Sequence, residues 1–279
     1  MRGVTRAATI VAMLAAVVMG AKTAASAEAV NCTAPMPLVA IQAPLTESAA
    51  RVRLGDTLTI VAVGSSSTEG IGASSPAHAY PALLEHELHE RFPDLALRVI
   101  NRGKGGEDAG EEMARLERDV VADHPDLVIW QVGTNAVLRQ DDLALDGEII
   151  ERGVARLKQI GADVVLMDLQ DAPRVTARST FGVMQGLIAG VAKRDNIGLF
   201  RRFDIMRNRA TEHPAEAARM IGSDGLHMTD DGYGCLAVNL AEALAWNWWS
   251  QTPPSARTAR IAAFHPKSGD AGPIRPSAP

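Results

Sequence analysis

The sequence predicts one α/β domain, a three-layer α/β/α sandwich built around a parallel sheet. Three observations support this fold class. Short apolar runs alternate with helical segments along residues 57–251, which is typical of βαβ units. The runs lack alternating polar residues, as expected for strands that helices cover on both faces. Glycine-rich polar stretches follow the first three runs, at the strand ends where such sheets bind their ligands.

Five runs have the length and composition of buried strands. The first, LTIVAV, and the third, LVIWQV, are apolar almost throughout, and Pro125 and Asp126 precede the third. The runs cover residues 58–63, 97–100, 127–132, 163–169 and 197–200. Right-handed crossovers between parallel strands leave few topologies, and we predict the flavodoxin-like strand order 2-1-3-4-5.

The segments between and after these runs carry apolar residues at helical spacing. The first opens with Pro81, a residue favoured at helix starts, and places Leu84 and Leu88 on one face. The last carries Leu240 and Leu244 on one stripe. The predicted helices cover residues 80–92, 110–121, 141–160, 180–193, 203–211 and 230–249.

Residues 1–27 have the pattern of a secretory signal peptide. Arg2 and Arg6 precede an apolar run at 8–20, and residues 25–27, Ala-Ser-Ala, form a small-residue cleavage site. An uncleaved N-terminal anchor is the alternative, although the apolar run is short for a membrane span. We expect an exported protein, periplasmic or secreted, with no membrane span in its mature form.

Two further segments flank the predicted domain at 57–251. Residues 28–56 contain Pro35, Pro37 and Pro44 without clear periodicity, and we expect an extended lead-in that packs on the domain surface. Residues 252–279 are dominated by proline, small residues and charges. Such a composition cannot bury a core, so we expect a disordered tail there.

The charge balance restricts the possible partners. The formal net charge is −5, which argues against nucleic acid because phosphate binding needs a basic surface. Positive and negative residues are mixed throughout, so no basic patch for a membrane surface is expected. A small-molecule or glycan substrate remains the expected partner, and the oligomeric state stays open.

The chain has two cysteines, Cys32 and Cys235. In an oxidising compartment such a pair favours a disulfide, which would tie the N-terminal segment to the last helix. Two separate thiols are the alternative, with Cys235 as a small buried apolar residue. There is no CxxC motif and no histidine pair at ligand spacing, so we expect neither a metal nor another cofactor.

Four polar stretches carry candidate catalytic groups: GSSST at 64–68, NRGKGG at 101–106, GTN at 133–135 and DGLH at 224–227. Ser66 follows an apolar strand and a glycine, at a sharp turn where a backbone amide can point at a ligand. A serine hydroxyl is a poor nucleophile unless a base takes its proton. Considered alone, GSSST is more typical of a polar loop or a helix cap.

His227 is the candidate base, and Asp224 is its candidate orienter. A neutral imidazole can accept the serine proton, and a carboxylate three residues earlier can bond its other ring nitrogen and fix the tautomer. A helix-capping aspartate beside a surface histidine is the alternative. Thr229 to Asp231 form a better cap for the last helix, which leaves Asp224 free for another role.

Stabilising a tetrahedral oxyanion requires hydrogen-bond donors. The backbone N–H groups of Gly106 and Ser66 and the side-chain amide of Asn135 are the candidates. The alternatives are an ordinary loop glycine and a turn asparagine that bonds its own backbone.

In this order, the four stretches resemble the blocks of the SGNH hydrolases, the GDSL-like esterases and lipases. The resemblance covers about residues 57–247. It places Ser66, in VAVGSSSTEG, on the family's nucleophile, Gly106, in VINRGKGGED, on the block-two glycine, and Asn135, in VIWQVGTNAV, on the block-three asparagine. Asp224 and His227, in DGLHMTDDGY, fall on the final block. The resemblance implies a Ser-His-Asp esterase on the SGNH hydrolase fold.

Two positions depart from the family pattern. Ser65 and Ala136 stand where the first and third blocks usually carry aspartate. In the family those carboxylates support loops rather than carry protons, so their loss leaves the nucleophile, base and oxyanion donors in place. Gln131, Gln170 and Arg139 lie beside the same strand ends and are candidate substrate-binding residues, with solvated loop positions as the alternative.

The sequence therefore predicts a secreted serine esterase that hydrolyses short-chain or O-acetyl-glycan esters through an acyl-enzyme. Two alternatives remain open. An O-acyltransferase would pass the same acyl group to a periplasmic glycan, and a non-catalytic binding domain would use the fold without chemistry.

Overall fold

The computed structural model describes residues 32–251, so the predicted signal peptide at 1–27 and the predicted tail at 252–279 lie outside the described residues. Five parallel strands form one sheet in the order β2-β1-β3-β4-β5. This confirms the predicted α/β/α sandwich and its 2-1-3-4-5 topology. Among the described residues, no helix is both long enough and apolar enough to cross a membrane.

The strands are β1 (Leu58–Gly64), β2 (Leu97–Gly103), β3 (Leu127–Gln131), β4 (Asp163–Met167) and β5 (Gly198–Phe200). The α-helices are α1 (Met36–Val39), α2 (Thr46–Leu54), α3 (Ser66–Glu69), α4 (Tyr80–Arg91), α5 (Ala109–Ala114), α6 (Leu116–Asp119), α7 (Thr134–Arg139), α8 (Leu143–Gln159), α9 (Pro173–Thr176), α10 (Phe181–Asp195), α11 (Arg202–Glu212), α12 (Pro214–Ala217) and α13 (Asp230–Ser250).

The sheet is buried on both faces. Successive side chains of a strand point to opposite faces, and β1 divides accordingly between two apolar clusters. Ile60 joins a cluster that includes Leu240 of α13. Val61 joins a second cluster on the other face, together with Trp130 and Val154 of α8. This two-sided burial is the reason why the strands read as continuous apolar runs.

The N-terminal segment is helical and enters the core, so the prediction of an extended surface lead-in is wrong. Val39 and Leu45 are each 1% exposed and belong to the α13 side of the core. Ser48 of α2 donates from its backbone N and its Oγ to Asp163 Oδ2, at 2.8 and 2.7 Å. Helices as short as α1 span barely one turn, so no periodicity could show in the sequence.

The helix predicted at 110–121 is instead divided into α5 and α6, followed by a 3₁₀ turn at Val121–Asp123. The break falls at Arg115, whose φ and ψ of −112° and 3° lie outside the helical range. Its buried side chain turns toward the sheet edge, where Nε donates to Glu107 Oε2 at 2.6 Å. The pairing of Arg115 with Glu107 thus favours a break between α5 and α6 over one continuous helix.

A disulfide joins Cys32 to Cys235 across 203 residues of sequence. Asn239 donates from Nδ2 to the carbonyl oxygens of both cysteines, at 2.7 and 2.8 Å. The bridge attaches the start of the described chain to α13, the helix that follows the candidate histidine.

Replacing both cysteines with alanine is expected to lower the free energy of unfolding by about 3–5 kcal/mol, because a crosslink over so long a loop strongly restricts the unfolded chain. Urea unfolding of the wild type with and without reductant measures the effect. Reductant should leave the double variant unchanged. An unaltered wild-type midpoint under full reduction would contradict this expectation.

Candidate active site

Three of the four polar stretches meet at the carboxyl edge of the sheet. In the register of β1 and β2, Gly64 lies opposite Gly103. Lys104 then donates its N–H to the Gly64 carbonyl at 2.9 Å, which extends the ladder by one step. The loop after β2 is therefore anchored beside the turn that carries Ser66.

Ser66 is the first residue of α3, the short helical turn directly after β1. The turn closes with hydrogen bonds from the N–H groups of Thr68 and Glu69 to the Ser65 carbonyl, at 3.0 and 2.9 Å. A Cβ at position 103 would lie 2.0 Å from the Glu69 nitrogen, so only glycine allows β2 to pass this close. The arrangement leaves Ser66 partly exposed between the two strands.

Gln131, the last residue of β3, holds this turn in place through hydrogen bonds. Its Oε1 accepts hydrogen bonds from the Ser65 N–H and Oγ, both at 3.1 Å, and from Thr68 Oγ1 at 3.3 Å. The residue is 1% exposed. This placement favours a supporting role for Gln131 over the substrate contact suggested by the sequence. Ser65, which replaces the family's usual aspartate, takes part in the same network.

His227 and Asp224 complete a chain of hydrogen bonds to Ser66. The distance from His227 Nε2 to Ser66 Oγ is 3.0 Å, and the distance from Nδ1 to Asp224 Oδ2 is 2.5 Å. Thr229 caps α13 by accepting from the Gly232 N–H at 3.4 Å. Asp224 therefore orients the histidine and takes no part in capping that helix.

The second oxygen of Asp224 fixes the loop itself. Oδ1 accepts the backbone N–H groups of Leu226 and His227, each at 3.0 Å. Partial desolvation acts to raise the pKa of Asp224, but these two N–H groups and the His227 ring outweigh it and lower the pKa from 3.8 to about 2. The Asp224 carboxylate is thus charged at neutral pH.

Two backbone N–H groups beside the nucleophile have no hydrogen-bond partner among the described residues. Within residues 32–251, neither the Ser66 N–H nor the Gly106 N–H donates to a protein acceptor. Gly106 has a φ of +86°, a conformation that glycine adopts without strain. A Cβ on the preceding Gly105 would lie 3.8 Å from Ser66 Cβ, which shows how closely the loop approaches the serine.

Asn135 lies in the first turn of α7, directly after β3. Its Nδ2 donates one hydrogen to the Glu107 carbonyl at 2.7 Å. The amide nitrogen carries a second hydrogen, for which residues 32–251 show no acceptor. The Asn135 side chain thus holds the loop at 103–107, the glycine loop, and carries a third N–H donor beside those of Ser66 and Gly106.

Asn135→Ala is expected to lower kcat for ester hydrolysis by about 10²- to 10³-fold, the usual effect of removing one oxyanion donor. KM should change much less, because the lost bond strengthens mainly in the transition state. Steady-state kinetics on a short-chain aryl ester provides the measurement. If kcat stayed within twofold of the wild-type value, Asn135 would not be an oxyanion donor.

The structure places the other two candidate substrate-binding residues in different surroundings. Gln170 is 1% exposed, and its Oε1 accepts from Thr134 Oγ1 and Arg202 Nη2, both at 2.9 Å. Like Gln131, Gln170 is buried and hydrogen-bonded to other residues of the domain. Arg139 is exposed, yet its guanidinium bonds the glycine loop, donating to the Gly106 carbonyl at 2.5 Å and to Asp108 Oδ2 at 2.6 Å.

Two carboxylates beside the site, Glu69 and Glu107, were not among the residues selected from the sequence. Glu69 Oε2 accepts the Gly105 N–H at 2.6 Å, and Glu107 is buried between Arg115 and Lys104, at 2.6 and 2.9 Å. Glu69 stands three residues after Ser66, where a helical turn brings it to the same side. That spacing was an available signal, whereas the pairing of Glu107 depends on the break at Arg115.

Two further features bear on ligand binding. A cavity of about 330 Å³ lies between α11, α13 and residues 32–35, and none of the candidate catalytic side chains lines it. In the part of the chain that the structure describes, no group of three or more His, Cys, Asp or Glu side chains is arranged to hold a metal ion.

A family model described as the non-GDSL lipase-like family matches residues 31–247. The chain belongs to this family. The match confirms the resemblance to the SGNH hydrolases, and the family's description accords with the departure of the first block at Ser65.

The chain is also similar to characterised proteins. It is 36% identical over 91 residues to an acetylxylan esterase from Geobacillus stearothermophilus, a match that covers 32% of this chain and 41% of that protein. It is 25% identical over 166 residues to an arylesterase from Vibrio mimicus, covering 60% of this chain and 78% of that one. The chain therefore spans less than half the length of the first of these relatives.

Solved structures share the fold. A two-domain esterase active on acetylated mannans superimposes with a TM-score of 0.62 and 22% identity, over 77% of this chain and 57% of that one. The acetylxylan esterase Axe2 from Geobacillus stearothermophilus gives a TM-score of 0.57 and 22% identity, over 68% and 95% of the two chains.

Proposed function

We propose that this protein is an exported serine esterase that hydrolyses carboxylic esters through a covalent acyl-enzyme. The observation that carries the proposal is the continuous chain from Ser66 Oγ through His227 to Asp224, at 3.0 and 2.5 Å. Beside it lie the unpartnered N–H groups of Ser66 and Gly106. Nucleophile, base, orienter and oxyanion donors thus occupy one edge of the sheet, as acyl transfer requires.

The first half of the reaction forms the acyl-enzyme. His227 Nε2 takes the proton of Ser66 Oγ as that oxygen bonds to the ester carbonyl carbon. The N–H groups of Ser66 and Gly106 and the Asn135 amide hold the resulting oxyanion. The intermediate collapses, the bond to the alcohol oxygen breaks, and the imidazolium returns its proton to the departing alcohol.

Water completes the cycle. His227 removes a proton from a water molecule that attacks the acyl carbon, and the same donors hold the second oxyanion. The bond to Ser66 Oγ then breaks, the serine regains a proton from the imidazolium, and the carboxylic acid leaves. Asp224 stays ionised throughout and stabilises the charged ring.

Short acyl groups, acetyl above all, on a glycan or a small alcohol are the proposed substrates. The site is open, since the Asp224 side chain is 43% exposed and that of Lys104 is 70% exposed, and an open site accommodates a bulky alcohol. The names of the similar proteins, acetylxylan esterase, arylesterase and an esterase active on acetylated mannans, point to the same class. Export rests on the sequence of residues 1–27 and remains a proposal.

Product analysis tests the function. The wild-type protein is incubated with 4-nitrophenyl acetate and with acetylated xylan oligosaccharides, and free acetate is quantified with and without an unacetylated glycan acceptor. We expect acetate to form in amounts equal to the ester consumed. Acetylated acceptor in place of acetate would show an O-acyltransferase, and no turnover of either ester would leave a binding domain.

A further inference from the structure

The glycine-rich sequence of the loop after β2, which carries the Gly106 N–H, allows many backbone conformations. Gly103, Gly105 and Gly106 lie within four residues, and glycine loses more conformational freedom on ordering than any other residue. Gly105 and Gly106 are exposed. An oxyanion donor must nevertheless be held in position before reaction, so other parts of the protein have to fix this loop.

Glu69 holds the loop from the side of the nucleophile. It is the last residue of α3, the turn that Ser66 begins. Its Oε2 accepts the Gly105 N–H at 2.6 Å, a short distance typical of a charge-assisted hydrogen bond. The carboxylate therefore fixes one side of the peptide segment whose next N–H belongs to Gly106.

Arg139 holds the loop from the side of α7, the helix that also carries Asn135. Its Nη2 donates to the Gly106 carbonyl at 2.5 Å. Its Nη1 donates to Asp108 Oδ2 at 2.6 Å and to Glu111 Oε2 at 3.1 Å, so the planar guanidinium is itself held in place. The two bonds bracket Gly106 and fix its carbonyl.

We propose that Glu69 and Arg139 are positioning residues that together aim the Gly106 N–H at the oxyanion, an inference that rests on the proposed esterase function. Neither side chain touches the reacting atoms. Each belongs to an element that supplies another oxyanion donor, Ser66 or Asn135, so the pair fixes the three donors relative to one another.

The two residues should affect rate rather than binding or folding. A donor displaced by a fraction of an ångström stabilises the transition state less, whereas ground-state binding of an ester depends little on it. Glu69 and Arg139 are exposed, and an exposed ion pair such as Arg139–Asp108 contributes little to stability. A loss of kcat without a loss of fold is therefore the expected signature.

Kinetics of Glu69→Ala, Arg139→Met and the double variant on 4-nitrophenyl acetate test the inference. We expect each single variant to lose about tenfold to a hundredfold in kcat, with KM within about twofold of wild type. The double variant should lose little more than either single one, because releasing either side frees the same peptide. Glu69→Gln, which keeps an acceptor oxygen, should recover most of the rate.

Arg156→Met is the matched control. Arg156 also joins two helices through a carboxylate, with Nε and Nη2 bonded to Glu117 at 2.6 and 2.9 Å, but it is absent from the site. It should keep wild-type kcat, and thermal unfolding midpoints should stay close to wild type in all variants. Guanidinium ions added to Arg139→Ala should restore part of kcat even if that variant is less stable.

The possible results distinguish a failure of the positioning role from a failure of the esterase function. Wild-type kcat in both single variants, or losses that multiply in the double variant, would overturn the positioning role and leave the esterase intact. Losses confined to KM would overturn it in favour of the substrate contact first expected for Arg139. A wild-type protein without esterase activity would instead refute the proposed function itself.

Discussion

Ser66→Ala is expected to lower kcat for ester hydrolysis by about 10⁶-fold, the scale of losing a serine nucleophile that acts as a unit with its base. The fold should be unchanged, because Ser66 Oγ bonds only His227 among the described residues. Initial rates on 4-nitrophenyl acetate, measured with high enzyme concentrations, provide the test.

Ser67→Ala is the matched control for this variant. Ser67 carries the adjacent hydroxyl, and it is only 1% exposed. It should retain kcat within a few fold of wild type. If Ser66→Ala kept a tenth or more of the wild-type rate while Ser67→Ala lost it, the nucleophile would have been assigned to the wrong serine.

Asp224→Asn is expected to lower kcat at neutral pH by about 10⁴-fold, since an amide in this position holds the imidazole in the wrong tautomer. The geometry should survive, because asparagine keeps an oxygen that can accept the N–H groups of Leu226 and His227. The pH dependence of kcat/KM for the wild type and this variant checks the prediction.

The low pKa of Asp224 determines what the wild-type profile should show. Because the pKa is depressed from 3.8 to about 2, the charged carboxylate stabilises the folded state above about pH 4, and this contribution is lost as the pH falls toward 2. Protonation of Asp224 should therefore not limit kcat/KM at any pH above about 4.

Asp231→Asn serves as the control for Asp224→Asn. Asp231 is an exposed carboxylate of the same region, paired with Arg219 at 3.3 Å. It should leave kcat and the pH dependence of kcat/KM unchanged. A wild-type rate in Asp224→Asn, or a loss of rate in Asp231→Asn as large as that in Asp224→Asn, would contradict the role given to Asp224.

Much of the fold followed from the sequence because the strands are buried on both faces. The run at 58–63 has the length and composition of a strand inside a covered sheet, and crossover handedness left few strand orders to choose from. The lead-in at 28–56 was misjudged because its helices are anchored by distant partners such as Asp163. Such contacts leave no periodic signal in the segment itself.

The sequence likewise predicted the roles of some candidate site residues and not of others. Ser66 could be selected because it follows a glycine turn at a strand end, and Asp224 and His227 because their spacing lets a carboxylate reach the imidazole. Gln131 and Arg139 were selected as polar residues near the site, but their partners come from other loops. Their positions in the sequence indicated that both lie near the carboxyl ends of the strands. Only their contacts in the folded protein indicate that they support loops.

The central claim is that Ser66 is an activated nucleophile, and covalent labelling tests it most directly. The wild-type protein is treated with a fluorophosphonate, and the modified peptide is located by mass spectrometry, with Ser66→Ala as the control. We expect one phosphonyl group per chain on Ser66, loss of esterase activity in proportion to labelling, and no label on Ser66→Ala. A protein that hydrolyses esters while Ser66 stays unmodified, or that is labelled equally after Ser66→Ala, would contradict the claim.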